Sequence, residues 1–358
     1  MDKEEEPLLG HGINVSEKPQ EPEGKASLAS SISVLTKSCI GSGLLSIPFS
    51  FRATGLIFGL VLLVLVGVLS WFSFYVLSQA RNRSGRRSYT DIATSYYGPV
   101  GTLVVELSLI VLLLGAGMIY VVLVGNNLEC LLERSSGLSF LNRHAVMTLA
   151  VLAVFPLTLF TELRGLRYAS TAGLLCLLYL SAVVVLRFLQ GQSSVHAVMA
   201  EQPAKGHTAS HAHDTEVGVD YFLLNSNFFI ALPCKSTSSN FQSIVQMGAY
   251  CGQFNAIDVH NELRNPTSFR INLVYICTVL LCFMYYSTFG LAGYLTFGRA
   301  TPGDLLLGYP RSDALVALGE VALTVTLLLT YPLFILPLRA TTAKLYQRLI
   351  GAKLSSFP

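Results

Sequence analysis

Charge is what this sequence has least of. Only 13% of its 358 residues are Asp, Glu, Lys or Arg, about half the share of an average soluble protein. Residues 1–25 hold ten of the 45 charged side chains, so the other 333 residues share 35. A soluble core of that size needs a larger polar surface. A soluble globular domain is therefore excluded, and so is disorder beyond the N-terminal tail. The net charge of +3 comes with no basic cluster dense enough to hold a nucleic acid.

Catalytic motifs are missing too. The chain has no HExxH, no GxxxxGK[ST] and no GxSxG, which argues against a zinc protease, a phosphate-loop pump and a serine hydrolase. The seven cysteines fall mostly in apolar stretches and form neither a disulfide framework nor a CxxC zinc pattern. Cys130 and Cys234 fall on one expected side of the membrane and leave one pairing open. The expectation is no enzyme, no cofactor and no metal site.

What the chain has in quantity is apolar sequence, 52% of it. At about 20 residues per membrane crossing, the apolar stretches read as eight spans: 28–51, 55–78, 102–124, 145–163, 170–189, 243–260, 271–297 and 314–338. This predicts an all-α polytopic membrane protein. Residues 1–27 form a disordered tail, 28–338 the membrane domain with a polar loop at about 190–226, and 339–358 a C-terminal end. With the N-terminus in the cytosol, 15 of the 24 lysines and arginines fall on that side and seven opposite. The strongest vote is the short loop with Arg81, Arg83, Arg86 and Arg87. On that reading the triplets at Asn14 and Asn82 are chance glycosylation matches. Glu106 is then near the cytosolic end of the third span, within reach of water.

Two spans are irregular. The first holds Gly41 and Gly43, two apart, followed by Pro48. Each glycine weakens a helix by about 1 kcal/mol relative to alanine, and broken backbone at membrane depth survives only when packed in protein or lining a cavity. A half-helix starting near Ser42 would turn its free N–H groups and positive end toward a carboxylate. The competing reading is a close helix contact at small residues, and this is the reading for Gly55 and Gly59 in the second span. The sixth span carries Gly248, Gly252, Gln253, Asn255, Asp258 and His260, polar residues that must face protein or water. Breaks at the first and sixth positions suggest two five-helix repeats with a site between them.

The residues then carry a resemblance. TKSCIGSGLLSIPFSF with RATG, SYTDIATSYYGPVG with YVVLVGNNL, AIDVHNELRNPT with GYLTFG, and TYPLFILPLR stand in order between residues 28 and 339. Together they resemble the amino acid/auxin permease family, within the amino acid–polyamine–organocation superfamily. The resemblance implies a leucine-transporter-like inverted-repeat fold and secondary transport of amino acids of the neutral class, with sodium-coupled and proton-coupled branches. It places the substrate carboxylate at Ile40, Gly41, Ser42 and Gly43. Cys251, Gly252, Gln253, Phe254 and Asn255 would meet the amine and side chain, and Tyr120 would close the site. Against these stand structural readings: Ser42 as a cap, Gln253 and Asn255 as partners of broken backbone, Tyr120 as packing.

For ion coupling the candidates are Lys37, Glu320, Thr326 and Thr330. Lys37 stands where sodium-coupled members often have asparagine, so a fixed ammonium can replace a bound metal or titrate. Proton coupling or uncoupled exchange is expected over sodium. The alternatives are a snorkelling lysine, a solvated vestibule carboxylate at Glu320, and threonines bonded back to their own helix.

Glu4 with Leu8 and Leu9 fits an acidic dileucine signal read by sorting adaptor proteins, which points to a lysosomal, endosomal or vacuolar membrane. His196, His207, His211 and His213 lie in the polar loop and would be charged in an acidic lumen; the plainer reading is a solvated loop. The family has about eleven spans, so a chain of eight is expected to be three short. That keeps two other functions open: a nutrient receptor that binds an amino acid and signals, and a transport-inactive short form.

Overall fold

The computed structural model describes residues 24–136, 148, 152, 163–190, 249–310 and 312–355. Those residues form helices and connecting turns, with one isolated β-bridge. We number the helices α1 (Leu28–Cys39), α2 (Ile47–Thr54), α3 (Leu56–Ser84), α4 (Tyr89–Ser136), α5 (Leu163–Leu189), α6 (Gln253–Glu262), α7 (Ser268–Phe297) and α8 (Ala314–Ser355).

Local chemistry sets the boundaries. Ser27 caps α1 by accepting from the Ser30 N–H at 3.2 Å, and Thr267 caps α7 by accepting from Arg270 N–H at 3.3 Å. Gly55, at φ 82°, ends α2 and starts α3. Gly98, at φ 67°, followed by Pro99, kinks α4 near its start. Gly55 is thus a break, where the sequence suggested a helix contact. Gly59 does make that contact, since a Cβ there would collide with the Phe51 ring of α2.

Among the described residues α3, α4, α5, α7 and α8 are each long and apolar enough to cross a membrane, and α1 with α2 makes a sixth crossing bent by 56°. Five of the eight expected spans, or six with the bent pair, are thus found among the described residues. The fourth span, 145–163, lies almost wholly outside the described residues, and the sixth is represented only by α6 and the turn before it. Leu, Val and Phe side chains of α3 and α4 point outward, among them Leu65, Phe72 and Val104. Outward apolar residues on helices of spanning length suit a lipid solvent.

Two boundaries move. The expected break between the spans 145–163 and 170–189 is absent at Arg164 and Arg167, which lie within α5. The last helix continues to Ser355 instead of ending at 338. Its 42 residues reach about 63 Å at 1.5 Å each, twice the roughly 30 Å hydrocarbon layer. The extension is held to the start of α4 by ion pairs from Lys344 to Asp91 at 2.9 Å and from Arg348 to Glu106 at 3.3 Å. Glu106 is fully buried, so the expectation that it reaches water is also corrected. The extended helix covers it and brings an arginine.

The core gathers around α7, which packs against α1, α2, α3 and α5, while α8 packs against α4 and α5. At the lower end of α1 the chain touches α6. Ala26 N–H donates to Glu262 O at 2.8 Å and Arg264 N–H to Ala26 O at 3.0 Å, closing a parallel bridge.

Candidate functional site

The first span breaks where the glycines stand. Helix α1 stops at Cys39, Gly41 is extended, and a short 3-10 turn over Ser42–Ser46 leads into α2. The break exposes carbonyls at the end of α1, and two side chains answer them. Lys37 Nζ donates to Ile40 O at 3.3 Å. The Tyr286 hydroxyl of α7 lies 3.0 Å from Cys39 O and also contacts Ala249 O of the other break. A cation at a helix C-terminus is where the macrodipole favours one.

Of the expected sixth span the structure describes only the part from Ala249 onward. Ala249 and Tyr250 form a turn, Cys251 and Gly252 are irregular, and α6 begins at Gln253. The two broken spans touch, because a Cβ at Gly252 would stand 2.5 Å from Cys39 Sγ. Asn255 Nδ2 donates to Ser38 Oγ at 2.8 Å and to Leu333 O of α8 at 3.3 Å. Gln253 Nε2 donates to Ser70 Oγ of α3 at 3.1 Å, and Ser70 Oγ lies 3.1 Å from Tyr250 O.

Beside both breaks is a cavity of about 550 Å³, within the usual range for small-molecule sites. Gly41 and Gly43 line it from the first break, Ala249 and Cys251 from the sixth, with Phe254, Tyr120, Tyr286 and Phe334 as aromatics. Val111, Leu112, Leu113, Ala116, Ile119 and Leu123 of α4 form an apolar wall, and among the described residues no charged side chain lines the cavity. Tyr120 meets Phe334 edge-on at 4.9 Å, and Phe334 meets Phe254 at 5.3 Å. The Tyr120 hydroxyl occupies the space a Cβ at Gly41 would need, 2.7 Å away.

Of the substrate residues read from the sequence, Gly41, Gly43, Tyr120, Cys251 and Phe254 meet at this cavity. Ile40 and Asn255 are buried behind it, and Ile40, Gly252, Gln253 and Asn255 are not in its lining. Gln253 and Asn255 face serines and backbone across the breaks. Tyr286 and Phe334 were missed, because a lone aromatic in an apolar span carries no signal of its own.

The ion-coupling candidates divide. Lys37 is 1% exposed and points inward, so it does not snorkel. Its stem lies against Gly173 of α5, where an added Cβ would stand 2.8 Å from Lys37 Cε. Thr326 Oγ1 donates to Gly173 O at 3.3 Å, and Thr330 Oγ1 to Thr326 O at 2.6 Å. Lys37 and Thr326 thus share one neighbourhood where α1, α5 and α8 meet, whereas Thr330 bonds back to its own helix. Glu320 is buried on α8 and does not line the cavity. The residues of the dileucine signal, the histidine-bearing loop and the Cys234 side of the open cysteine pairing lie outside the described residues.

Residues 24–355 match the family model described as "Transmembrane amino acid transporter protein". The chain belongs to this family. It is the amino acid/auxin permease family that the motifs resembled, a family of transporters and not of enzymes. A Schizosaccharomyces pombe relative, "Vacuolar amino acid transporter 5", is 29% identical over 336 residues, 92% of this chain and 72% of that one. Two Saccharomyces cerevisiae relatives are "Vacuolar amino acid transporter 7", 28% identical over 88% of this chain, and "Vacuolar amino acid transporter 6", 25% over 90%. The chain spans 59% of the former's length and 67% of the latter's. Family membership makes it a multi-pass membrane protein, homologous to vacuolar transporters of amino acids.

Proposed function

We propose that the chain moves neutral amino acids across a membrane, and that the α-carboxylate binds at the backbone of Gly41, Ser42 and Gly43. The observation that carries this reading is the cavity itself. It is bordered by the irregular backbone at Gly41–Gly43 and at Ala249–Cys251, yet its wall among the described residues is mostly apolar and aromatic, with no charged side chain. Backbone N–H groups at the start of the turn after Gly41 suit a carboxylate, and an uncharged wall suits an uncharged side chain. The names of the three relatives support the amino acid class.

The coupling ion in this reading is a proton, or there is none. Lys37 supports that, since its buried ammonium occupies the junction of α1, α5 and α8. The N-terminus is cytosolic, and the membrane is that of an acidic organelle, which the vacuolar relatives and the Glu4–Leu8–Leu9 signal support. Changing Leu8 and Leu9 to alanine then shifts the protein toward the plasma membrane; an unchanged distribution removes the sorting signal.

The experiment for the main reading is uptake of a panel of labelled amino acids into proteoliposomes at two pH values, with binding measured alongside. Saturable uptake of neutral members supports it. Binding without uptake makes the protein a receptor, and neither removes the site.

A further inference from the structure

We propose that the loop from α3 to α4 and the loop from α6 to α7 form one docking surface for the headgroup of a multiply phosphorylated membrane lipid. The surface uses none of the residues that line the substrate cavity. Residues 81–90 and 263–270 together hold six arginines, no lysine and no Asp or Glu. Arg81, Arg83, Arg86 and Arg87 stand in the first loop, and Arg264 and Arg270 in the second.

The fold joins the two loops. Arg81 Nε donates to Asn261 Oδ1 at 3.3 Å, and Asn261 Nδ2 donates to Arg87 O at 2.6 Å. One asparagine near the end of α6 thus bonds both ends of the first arginine run, three residues before Arg264. Arg83, Arg86 and Arg264 are exposed, and Arg270 is half-buried. Two carboxylates adjoin the loops in sequence. Asp91 is paired with Lys344 at 2.9 Å, and Glu262 is a single negative charge against six positive ones.

Depth favours a lipid over a soluble anion. The outward apolar face of α3 ends at Val76. Arg83 is seven residues further on, about 10 Å along the axis, which carries it past the hydrocarbon and into the headgroup layer. On α7, Phe269 is 77% exposed immediately before Arg270. An aromatic ring at the end of a spanning helix is an interfacial anchor; a membrane lipid covers it, whereas a soluble anion leaves it in water.

The choice of side chain favours phosphate. A guanidinium offers a planar fork that meets phosphate oxygens in pairs, which a lysine ammonium does not. Basic clusters of this size beside a spanning helix attract anionic lipids. A headgroup with several phosphates can reach both loops at once, and would add a second link beside the one Asn261 makes.

The test is thermal unfolding of the purified full chain in detergent. The additions are short-chain phosphatidylinositol bisphosphate, phosphatidylserine or phosphatidylcholine, and inositol trisphosphate as a headgroup without acyl chains. The bisphosphate lipid should raise the melting temperature saturably, at a concentration at least about tenfold below that needed for phosphatidylserine. Arg83→Gln, Arg86→Gln and Arg264→Gln should each weaken it about fivefold. Arg299→Gln, at the opposite end of α7, should leave it unchanged. Equal shifts from all three lipids, or none from any, would overturn the site. A shift from inositol trisphosphate as large as that from the lipid would make it a site for soluble polyanions, and one that survives the three loop variants would place the lipid elsewhere. No step of the test measures uptake, so its outcome is separable from that of the transport reading.

Discussion

Asn255 of the sixth span donates to Ser38 of the first across 2.8 Å, and its second amide hydrogen goes to Leu333 O of α8 at 3.3 Å. One side chain therefore ties three elements that meet behind the cavity. Both acceptors are buried. Replacing Asn255 with leucine leaves Leu333 O and one side of Ser38 without a donor, which costs about 1–3 kcal/mol. The expected outcome is a lower melting temperature in detergent. Unchanged stability would show that the three elements do not depend on this link.

Lys37 presents a different kind of link, a charge held inside the bundle at the end of its own half-helix. Its ammonium reaches Ile40 O, and its stem fills the space beside Gly173. Lys37→Asn removes the fixed charge and opens that space. Uptake by the variant should change its dependence on pH, on sodium or on both. A variant whose pH and sodium responses match the parent would sink the coupling role and leave Lys37 as a cap.

The breaks were legible because glycine and polar residues stand out against hydrocarbon-soluble sequence: Gly41 and Gly43 in one span, Gly252 with Asn255 in the other. Their partners across the bundle were not. Tyr286 contacts carbonyls of both breaks, yet in sequence it is one tyrosine in an apolar helix, and only the fold turns it inward. The length of α8 was hidden for a related reason. Hydropathy falls at Arg339, but the helix needs no lipid beyond that point, because Lys344 and Arg348 find carboxylates on α4. Apolar periodicity reports what lipid covers; it does not report what another helix covers.

Glu106 is fully buried and Arg348 is 39% exposed in its side chain. Removing the arginine strands a buried carboxylate, which costs several kcal/mol when both charges are buried and less when one is wet. Arg348→Ala should therefore lower stability by about 1–3 kcal/mol. The double variant with Glu106→Gln should recover most of it, because the stranded charge is gone. If the single variant melts with the parent, the extension of α8 is not held there.

The tightest test of the cavity uses Gly41 and Tyr120. A methyl group at Gly41 would sit 2.7 Å from the Tyr120 hydroxyl oxygen but 3.7 Å from the ring carbon that bears it, so the clash is with the oxygen alone. Gly41→Ala should cut uptake at least about tenfold, a barrier of 1.4 kcal/mol, by displacing the tyrosine into the cavity or the turn out of place. Tyr120→Phe removes the offending atom and keeps the ring against Phe334. The Gly41→Ala, Tyr120→Phe pair should then transport better than Gly41→Ala alone, a non-additivity expected only of residues in contact. Additive losses in the double variant would mean that the two residues do not meet in the working protein, and that the cavity is drawn from the wrong faces of α4 and the first break.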